Sequence, residues 1–359
     1  MIRATIFPGR YIQGVDAMGR LGKECRRIGK KGFFVCDPFV YVNLFPGLQE
    51  QITGDIDIVV EKFGGECCEE EIERLVDRAR KENSELVAGL GGGKTLDTAK
   101  VVAHELKVPV AIVPTLASTD APCSAMAVIY TAEGGFKHYL DLPRNPDLVL
   151  IDTKVVAQAP TRFLVSGMGD ALATRFEAES AARNYAANLT GDVGTMTAYS
   201  LARLCYDTLI EYGAFARAAC KVKAVTPALD HIVEANTLLS GLGFESGGLA
   251  AAHAIHNGLT VVGKTHKYYH GEKVAFGTLA SLFLTDKPQE IINEVYCFCE
   301  AVGLPTSLAE IGLPNTSDEV LMRVAEATCA EDETIHNEAI PMNAGRVLAA
   351  LKTADAYGE

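Results

Sequence analysis

The chain has 359 residues, with 33 Lys and Arg against 46 Asp and Glu, and a formal net charge of −13 at pH 7. At 48% apolar content it is long enough for about two globular domains with a substantial core. The acidic balance without a basic cluster excludes nucleic acid and anionic membrane as natural partners, and no apolar run approaches a bilayer span. The opening MIRATIFPGRYIQG lacks the uninterrupted apolar stretch of a signal peptide. Ten cysteines are scattered, and neither Cys67–Cys68 nor Cys297-x-Cys299 has zinc-knuckle or redox CxxC spacing. Reduced thiols buried as small hydrophobes are the expectation, and with them a cytoplasmic protein.

Short runs rich in Val, Ile and Leu predict strands at 33–36, 56–60, 85–90, 109–114 and 147–151. Between them, Ile72, Leu75, Val76 and Ala79 fall at i, i+3, i+4 and i+7, the pattern of an amphipathic helix over 70–80. A second helix is expected over 95–106, entered through glycines. This alternation predicts a mainly parallel, doubly wound sheet. The segment 127–139, AVIYT-AEGG-FKHY, interrupts it as a β-hairpin. After Pro160 alanine-rich helical patterns take over, at 162–182, 195–212, 228–239, 248–257, 271–284, 289–302 and 317–330, and strand signals nearly vanish. The expected organisation is an α/β N-terminal domain, residues 1–160, and an all-α C-terminal domain, residues 161–359.

The strand at 85–90 runs into Gly91-Gly92-Gly93-Lys94-Thr95 and then a helix. A strand, a glycine turn and a helix N-terminus present free N–H groups and the positive end of the helix dipole to an anion, and Lys94 adds a charge. Neither standard nucleotide fingerprint fits: the P-loop pattern meets Ala88 where it needs glycine, and GxGxxG meets Lys94 at its third position. A pyrophosphate is the more natural guest than a bare turn. Asp37, at the end of the first predicted strand, is placed to take the hydroxyls of an adenine ribose and to repel a 2′-phosphate, favouring NAD over NADP. Asp-Pro at a strand end is also ordinary turn chemistry.

The segment GLGFESGGLAAAHAIHNGLTVVGKTHKYYHGEKVAFGT places His253, His256, His266 and His270 within eighteen residues. His253 and His256, one turn apart, leave the same face of a helix, and the connection through Gly263 could fold His266 or His270 back toward them. Such a cluster suits a metal centre, or else a hydrogen-bonded helical core. A catalytic metal usually adds a carboxylate, and Asp170 in SGMGDALA is a candidate, surrounded by small residues; a helix cap is its other reading.

The stretches GGGKTLDTAK (91–100), PTLASTDAPCSA (114–125), GMGDALATRFEA (167–178), and GFESGGLAAAHAIHNGLT through YYHGEKVAFGTL together resemble the glycerol dehydrogenase family, within the metal-dependent (iron- or zinc-type) alcohol dehydrogenase superfamily. The resemblance runs from PGRYIQG to ADAYGE, nearly the whole chain. It implies oxidation of glycerol and related vicinal diols to dihydroxyacetone, with NAD as hydride acceptor and zinc as Lewis acid on the substrate hydroxyl. It implies zinc bound by Asp170, His253 and His270, with His256 a neighbour in the catalytic pocket and His266 outside it. It further implies pyrophosphate contacts from Gly93, Lys94, Thr95, Leu96 and Asp97, and ribose contacts from Asp37. The rest of the NAD cleft would come from Thr115, Ser118, Ser124, Met126 and Tyr130, with Asp120 on the substrate hydroxyls. Met126 is the one departure, since relatives can carry leucine there. A homo-oligomer, an octamer by resemblance, is also implied. Dehydroquinate synthase and glycerol-1-phosphate dehydrogenase resemble the same architecture, but grip phosphorylated substrates with cationic side chains; the ligand segments here offer only Lys264, Lys267 and Lys273.

Overall fold

A computed structural model describes all residues, Met1–Glu359. Its centre is a six-stranded, wholly parallel sheet of β1 (Tyr11–Gly14), β2 (Lys31–Cys36), β3 (Asp57–Lys62), β4 (Leu86–Gly91), β5 (Val110–Pro114) and, after a hairpin, β8 (Leu148–Asp152). The spatial order is β1-β8-β5-β4-β2-β3. The hairpin β6 (Met126–Tyr130) and β7 (Phe136–Asp141) forms its own antiparallel pair. Helices α1 (Glu69–Lys81) and α2 (Gly93–Leu106) are crossovers between parallel strands.

Central strands of such a sheet are buried on both faces, which is why they read as continuous apolar runs. Phe33 and Phe34 are both fully buried, and because strand neighbours point to opposite faces they enter different cores. Each contributes about 1.5–3 kcal/mol of transfer free energy. On one side Ile72, Leu75, Val76 and Ala79 of α1 close the core as their spacing predicts. On the other, Leu21, Phe45, Leu48 and Ile52 close it.

Some of the elements had no sequence signal. The edge strand β1, four residues ending in Gln13 and Gly14, is too short and polar to register, and it forms by pairing with β8. The helix-rich remainder begins at Thr153 and includes α3 (Thr161–Asn184), α4 (Met196–Lys221), α5 (Ser240–Gly247), α6 (Ala251–Leu259), α7 (His270–Leu284), α8 (Gln289–Val302), α9 (Asp318–Thr328) and α10 (Ala344–Gly358). Neither α5 nor α10 was anticipated. This half is not purely helical: Arg3–Ala4 pairs in parallel with Val193–Gly194.

Candidate active site

The chain leaves β2 toward β3 on one side and β4 toward β5 on the other, so the order of the sheet reverses between β2 and β4. A cleft opens at such a switch point, at the carboxyl ends of the strands. Asp37 ends β2 and Gly91 ends β4, and they meet there. A Cβ on Gly91 would lie 2.7 Å from the Asp37 Cβ and 3.0 Å from Thr95 Oγ1, at a φ of +155°. Only glycine lets the acid and the turn come this close. Gly92 is the extended N-cap of α2, which starts at Gly93, so Gly93, Lys94 and Thr95 supply the first, unpaired N–H groups of the helix. The Leu96 amide already donates to the Gly92 carbonyl at 3.1 Å.

Side chains around this turn divide into those free to meet a ligand and those already engaged. One Asp37 oxygen accepts from the Phe39 amide at 2.8 Å, capping the short helix Pro38–Asn43. Lys94 pairs with both oxygens of Glu66, at 2.6 and 2.5 Å, and lies over the Tyr130 ring. Asp97 is buried, accepting from the Val128 amide at 3.1 Å and from Lys100 at 3.2 Å, so its carboxylate ties α2 to the hairpin. Thr115 donates its amide to the Gly91 carbonyl at 3.0 Å, keeping the ends of β4 and β5 side by side. Ser118, Met126 and Tyr130 are partly exposed at the same end, whereas Ser124 is fully buried, its hydroxyl donating to the Ala121 carbonyl at 3.1 Å.

Beyond the end of β5, where the Asp120 amide meets Asp170, α3, α6 and α7 converge. A Cβ on Gly169 would lie 2.3 Å from the Gly271 carbonyl oxygen, and one on Gly271 would lie 1.8 Å from that of Ser166. Backbone therefore touches backbone where α3 crosses the start of α7, and His270 is set beside Asp170. From α6, His253 reaches the same point. Asp170 is completely buried, and its Oδ1 stands 3.0 Å from His270 Nε2 and 3.4 Å from His253 Nε2. The three donor atoms lie within 4.8 Å of one another.

Residues 8–153 match the iron-containing alcohol dehydrogenase family. Over 358 residues the chain is 63% identical to the glycerol dehydrogenase of Thermotoga maritima, covering 100% of this chain and 98% of the relative. The chain belongs to the iron-containing alcohol dehydrogenase family. It is an oxidoreductase of that family. It is 51% identical to the Escherichia coli glycerol dehydrogenase, again over 100% of this chain and 98% of the other. The crystal structure of the Schizosaccharomyces pombe glycerol dehydrogenase superposes with a TM-score of 0.94 at 40% identity, covering 99% of this chain and 91% of that one.

In this family member the donor set fits a divalent cation. Oδ1 of Asp170 is buried and accepts no hydrogen bond. The Nδ1 of His253 lies 2.6 Å from Glu177 Oε2, which can only accept, so the proton belongs on Nδ1 and the Nε2 lone pair faces Asp170. Lone pairs converging on one buried point repel unless a positive charge lies between them. Burial opposes ionisation of Asp170, but His270 and His253 outweigh it and hold the carboxyl well below its usual range. Burial likewise opposes charge on His253, and Glu177 and Asp170 push its affinity for a proton well above the ordinary value.

The other histidines separate cleanly. His256 is buried with its Nε2 3.0 Å from His270 Nδ1, so it backs the site rather than pointing into it. His266 is exposed on the turn Gly263–Lys267, its Nε2 2.8 Å from the Thr260 carbonyl. Asp120 is buried beside the cluster. Its amide donates to Asp170 Oδ2 at 3.2 Å, and its own Oδ2 accepts from Ser240 Oγ at 2.9 Å. Burial, then the nearby Asp170 charge, raises the Asp120 carboxyl well above its ordinary value.

Sequence reasoning missed Glu177 and Ser240. Glu177 follows Asp170 by two helical turns on the same face of α3, a spacing of i, i+7 that could have found it. Besides holding His253, it accepts the Ala250 and His253 amides, each at 2.9 Å, and so caps α6. Ser240 follows a π-helical turn at Ala235–Leu239, and no sequence signal marks that turn.

Proposed function

We propose that this enzyme oxidises glycerol, and related vicinal diols, to dihydroxyacetone with NAD as acceptor and zinc as its metal. The observation that carries the reading is the meeting of buried Asp170 with His253 and His270, next to Asp120, whose segment leaves the same end of the parallel sheet as the Asp37–Gly91 turn. Residues 1–160 would form the NAD-binding domain and 161–359 the helical domain that holds the metal and substrate. Gly93, Lys94 and Thr95 would take the pyrophosphate on their main-chain N–H groups. Leu96 and Asp97 complete the helical turn that aims them. Asp37 would accept from the ribose hydroxyls, and Thr115, Ser118, Met126 and Tyr130 would form the wall around the cofactor, with Ser124 buried behind it.

When bound, the metal supplies a Lewis acid that lowers the pKa of the substrate hydroxyl, and the nicotinamide ring accepts the hydride. The chain's own residues set the stage for that step. Two neutral imidazoles and one carboxylate would hold a divalent cation while leaving it net positive. Asp120, with one oxygen engaged by Ser240, keeps the other to accept from a neighbouring substrate hydroxyl, which favours diols over simple alcohols. His256 keeps His270 oriented behind the reacting atoms. Burial of Asp170 keeps water away from the carboxylate that would hold the cation.

The protein would work in the cytoplasm as a homo-oligomer, an octamer by resemblance. No helix is long and apolar enough to cross a membrane, and eight of the ten cysteines are buried free thiols. Leu204, Phe215 and Val222, spaced i, i+11 and i+18 along α4 and its C-cap, leave an exposed apolar line that an oligomer would cover.

The test is the initial rate of NAD reduction with glycerol before chelation, after it, and after zinc is restored. Activity should fall to background on chelation and return with zinc. Undiminished turnover in metal-free protein would reject the metal role, and bound zinc and NAD without turnover of glycerol would reject the substrate.

A further inference from the structure

A neutral imidazole carries one proton, and it resides on whichever nitrogen is offered an acceptor. Glu177 makes that choice for His253 directly. No carboxylate does so for His270 at its Nδ1, which faces only His256 Nε2 at 3.0 Å. Two imidazole nitrogens in contact leave both polarities open, and only one of them gives His270 a bare Nε2 toward Asp170.

The chain continues outward. His256 Nδ1 lies 3.0 Å from Asn257 Oδ1, and Asn257 Nδ2 lies 3.2 and 3.1 Å from the two oxygens of Glu333. A carboxylate only accepts, so Asn257 must turn its NH2 to Glu333 and its carbonyl to His256. That carbonyl also only accepts, so His256 carries its proton on Nδ1. His256 Nε2 is then bare and accepts from His270 Nδ1–H, and the His270 Nε2 lone pair points at Asp170 Oδ1, 3.0 Å away. Each link has one polarity, and the last acceptor sets them all.

We propose that Glu333 is a positioning residue which, through Asn257 and His256, fixes the hydrogen-bond polarity that makes His270 Nε2 a metal-ligating atom. The proposal rests on the reading that Asp170, His253 and His270 hold a cation. Glu333 lies on none of the three helices that carry those residues. It precedes the turn Thr334–Asn337, which is fastened to the start of α6 by its own bonds. Thr334 Oγ1 donates to the Ala250 carbonyl at 2.7 Å, Asn337 Nδ2 to that of Leu249 at 2.8 Å, and the Ala251 amide to Glu338 at 3.1 Å. The carboxylate is thereby held in place whether or not a metal is bound. Such outer partners typically change metal affinity by about 10–100-fold.

The experiment measures zinc affinity of the full-length metal-free enzyme by competition with a chromogenic chelator, and the visible spectrum of its cobalt(II) form. The variants are Glu333→Ala, Glu333→Gln and Asn257→Leu. Zinc affinity should fall about tenfold or more in Glu333→Ala and Asn257→Leu, with a shifted cobalt spectrum and unchanged NAD affinity. Glu333→Gln, which keeps an acceptor oxygen for Asn257, should stay near wild type. Unchanged affinity and spectrum in Glu333→Ala and Asn257→Leu overturn the proposal, as does a Gln variant that falls as far as the Ala variant. Asn257→Leu carries the test by itself should Glu333→Ala fail to fold. Wild-type protein that takes up no zinc overturns the metal reading beneath, a result distinct from normal uptake that the variants leave untouched.

Discussion

The two sides of the cleft are assembled in contrasting ways. On the sheet side, Asp37 and Gly91–Thr95 sit at the ends of two adjacent strands, and the groups offered to a ligand are largely main-chain N–H. On the helical side, Asp170, His253 and His270 come from three separate helices, and every group offered is a side chain whose ring or carboxylate is oriented by another residue. A backbone site needs little beyond its own turn. A side-chain site needs its helices held within tenths of an ångström, and needs partners that place each proton.

That contrast is broken most severely at the helix crossing. Gly271→Ala would drive a methyl to 1.8 Å from the Ser166 carbonyl, and backbone cannot yield as a side chain tip would. The expected cost is about 3 kcal/mol or more, seen as a lower denaturation midpoint, with loss of metal uptake because His270 moves off Asp170. A variant of wild-type stability and metal content would show that the close approach is not what builds the site.

Glu245 tests the seam between the two sides. On α5, it accepts from the Ala125 amide and from Asn145 Nδ2, each at 2.5 Å, and so ties the helical half to segments beside the hairpin. Burial lifts its carboxyl from its ordinary value near 4.5 to about 7. The folded state therefore binds more protons than the unfolded one between these values. The stabilisation from protonated Glu245 is full below the window and lost as pH rises through about 7. Wild-type stability relative to Glu245→Gln should accordingly fall by about 2–3 kcal/mol from pH 4 to pH 8, measured by denaturant midpoints. A difference that does not vary with pH would remove Glu245 from the titrating groups.

The smallest expected effect lies on the sheet side. Asp37→Asn keeps an oxygen for the Phe39 amide but removes the charge that, in the proposed cofactor pose, would face a 2′-phosphate. The ratio of kcat/KM for NADP to that for NAD should rise about tenfold, on the order of 1.4 kcal/mol. An unmoved ratio would assign Asp37 to capping alone.

These differences also explain what could be read in advance. The parallel strands were visible because burial on both faces writes a continuous apolar run, and α1 because one buried face writes a period near 3.6. β1 was not, since four residues against one neighbour need no such run. The histidine cluster was conspicuous by spacing, but spacing left both His266 and His270 able to fold back. In the structure His266 bonds the Thr260 carbonyl at the surface, while His270 opens α7 where Gly169 and Gly271 let α3 approach. Glu333 had no local signature, because it reaches His270 only through two intervening side chains.

By itself, the sequence determined the elements whose cause is local: the apolar runs, the amphipathic helices, the glycine turn with its helix N-terminus, and the motifs that mark the family. Only the tertiary structure decided which histidine meets Asp170, which acceptor holds each imidazole proton, and which charges are already paired. Those outcomes depend on contacts between residues distant along the chain, and a hydrogen bond or a 1.8 Å backbone approach exists only once helices have packed.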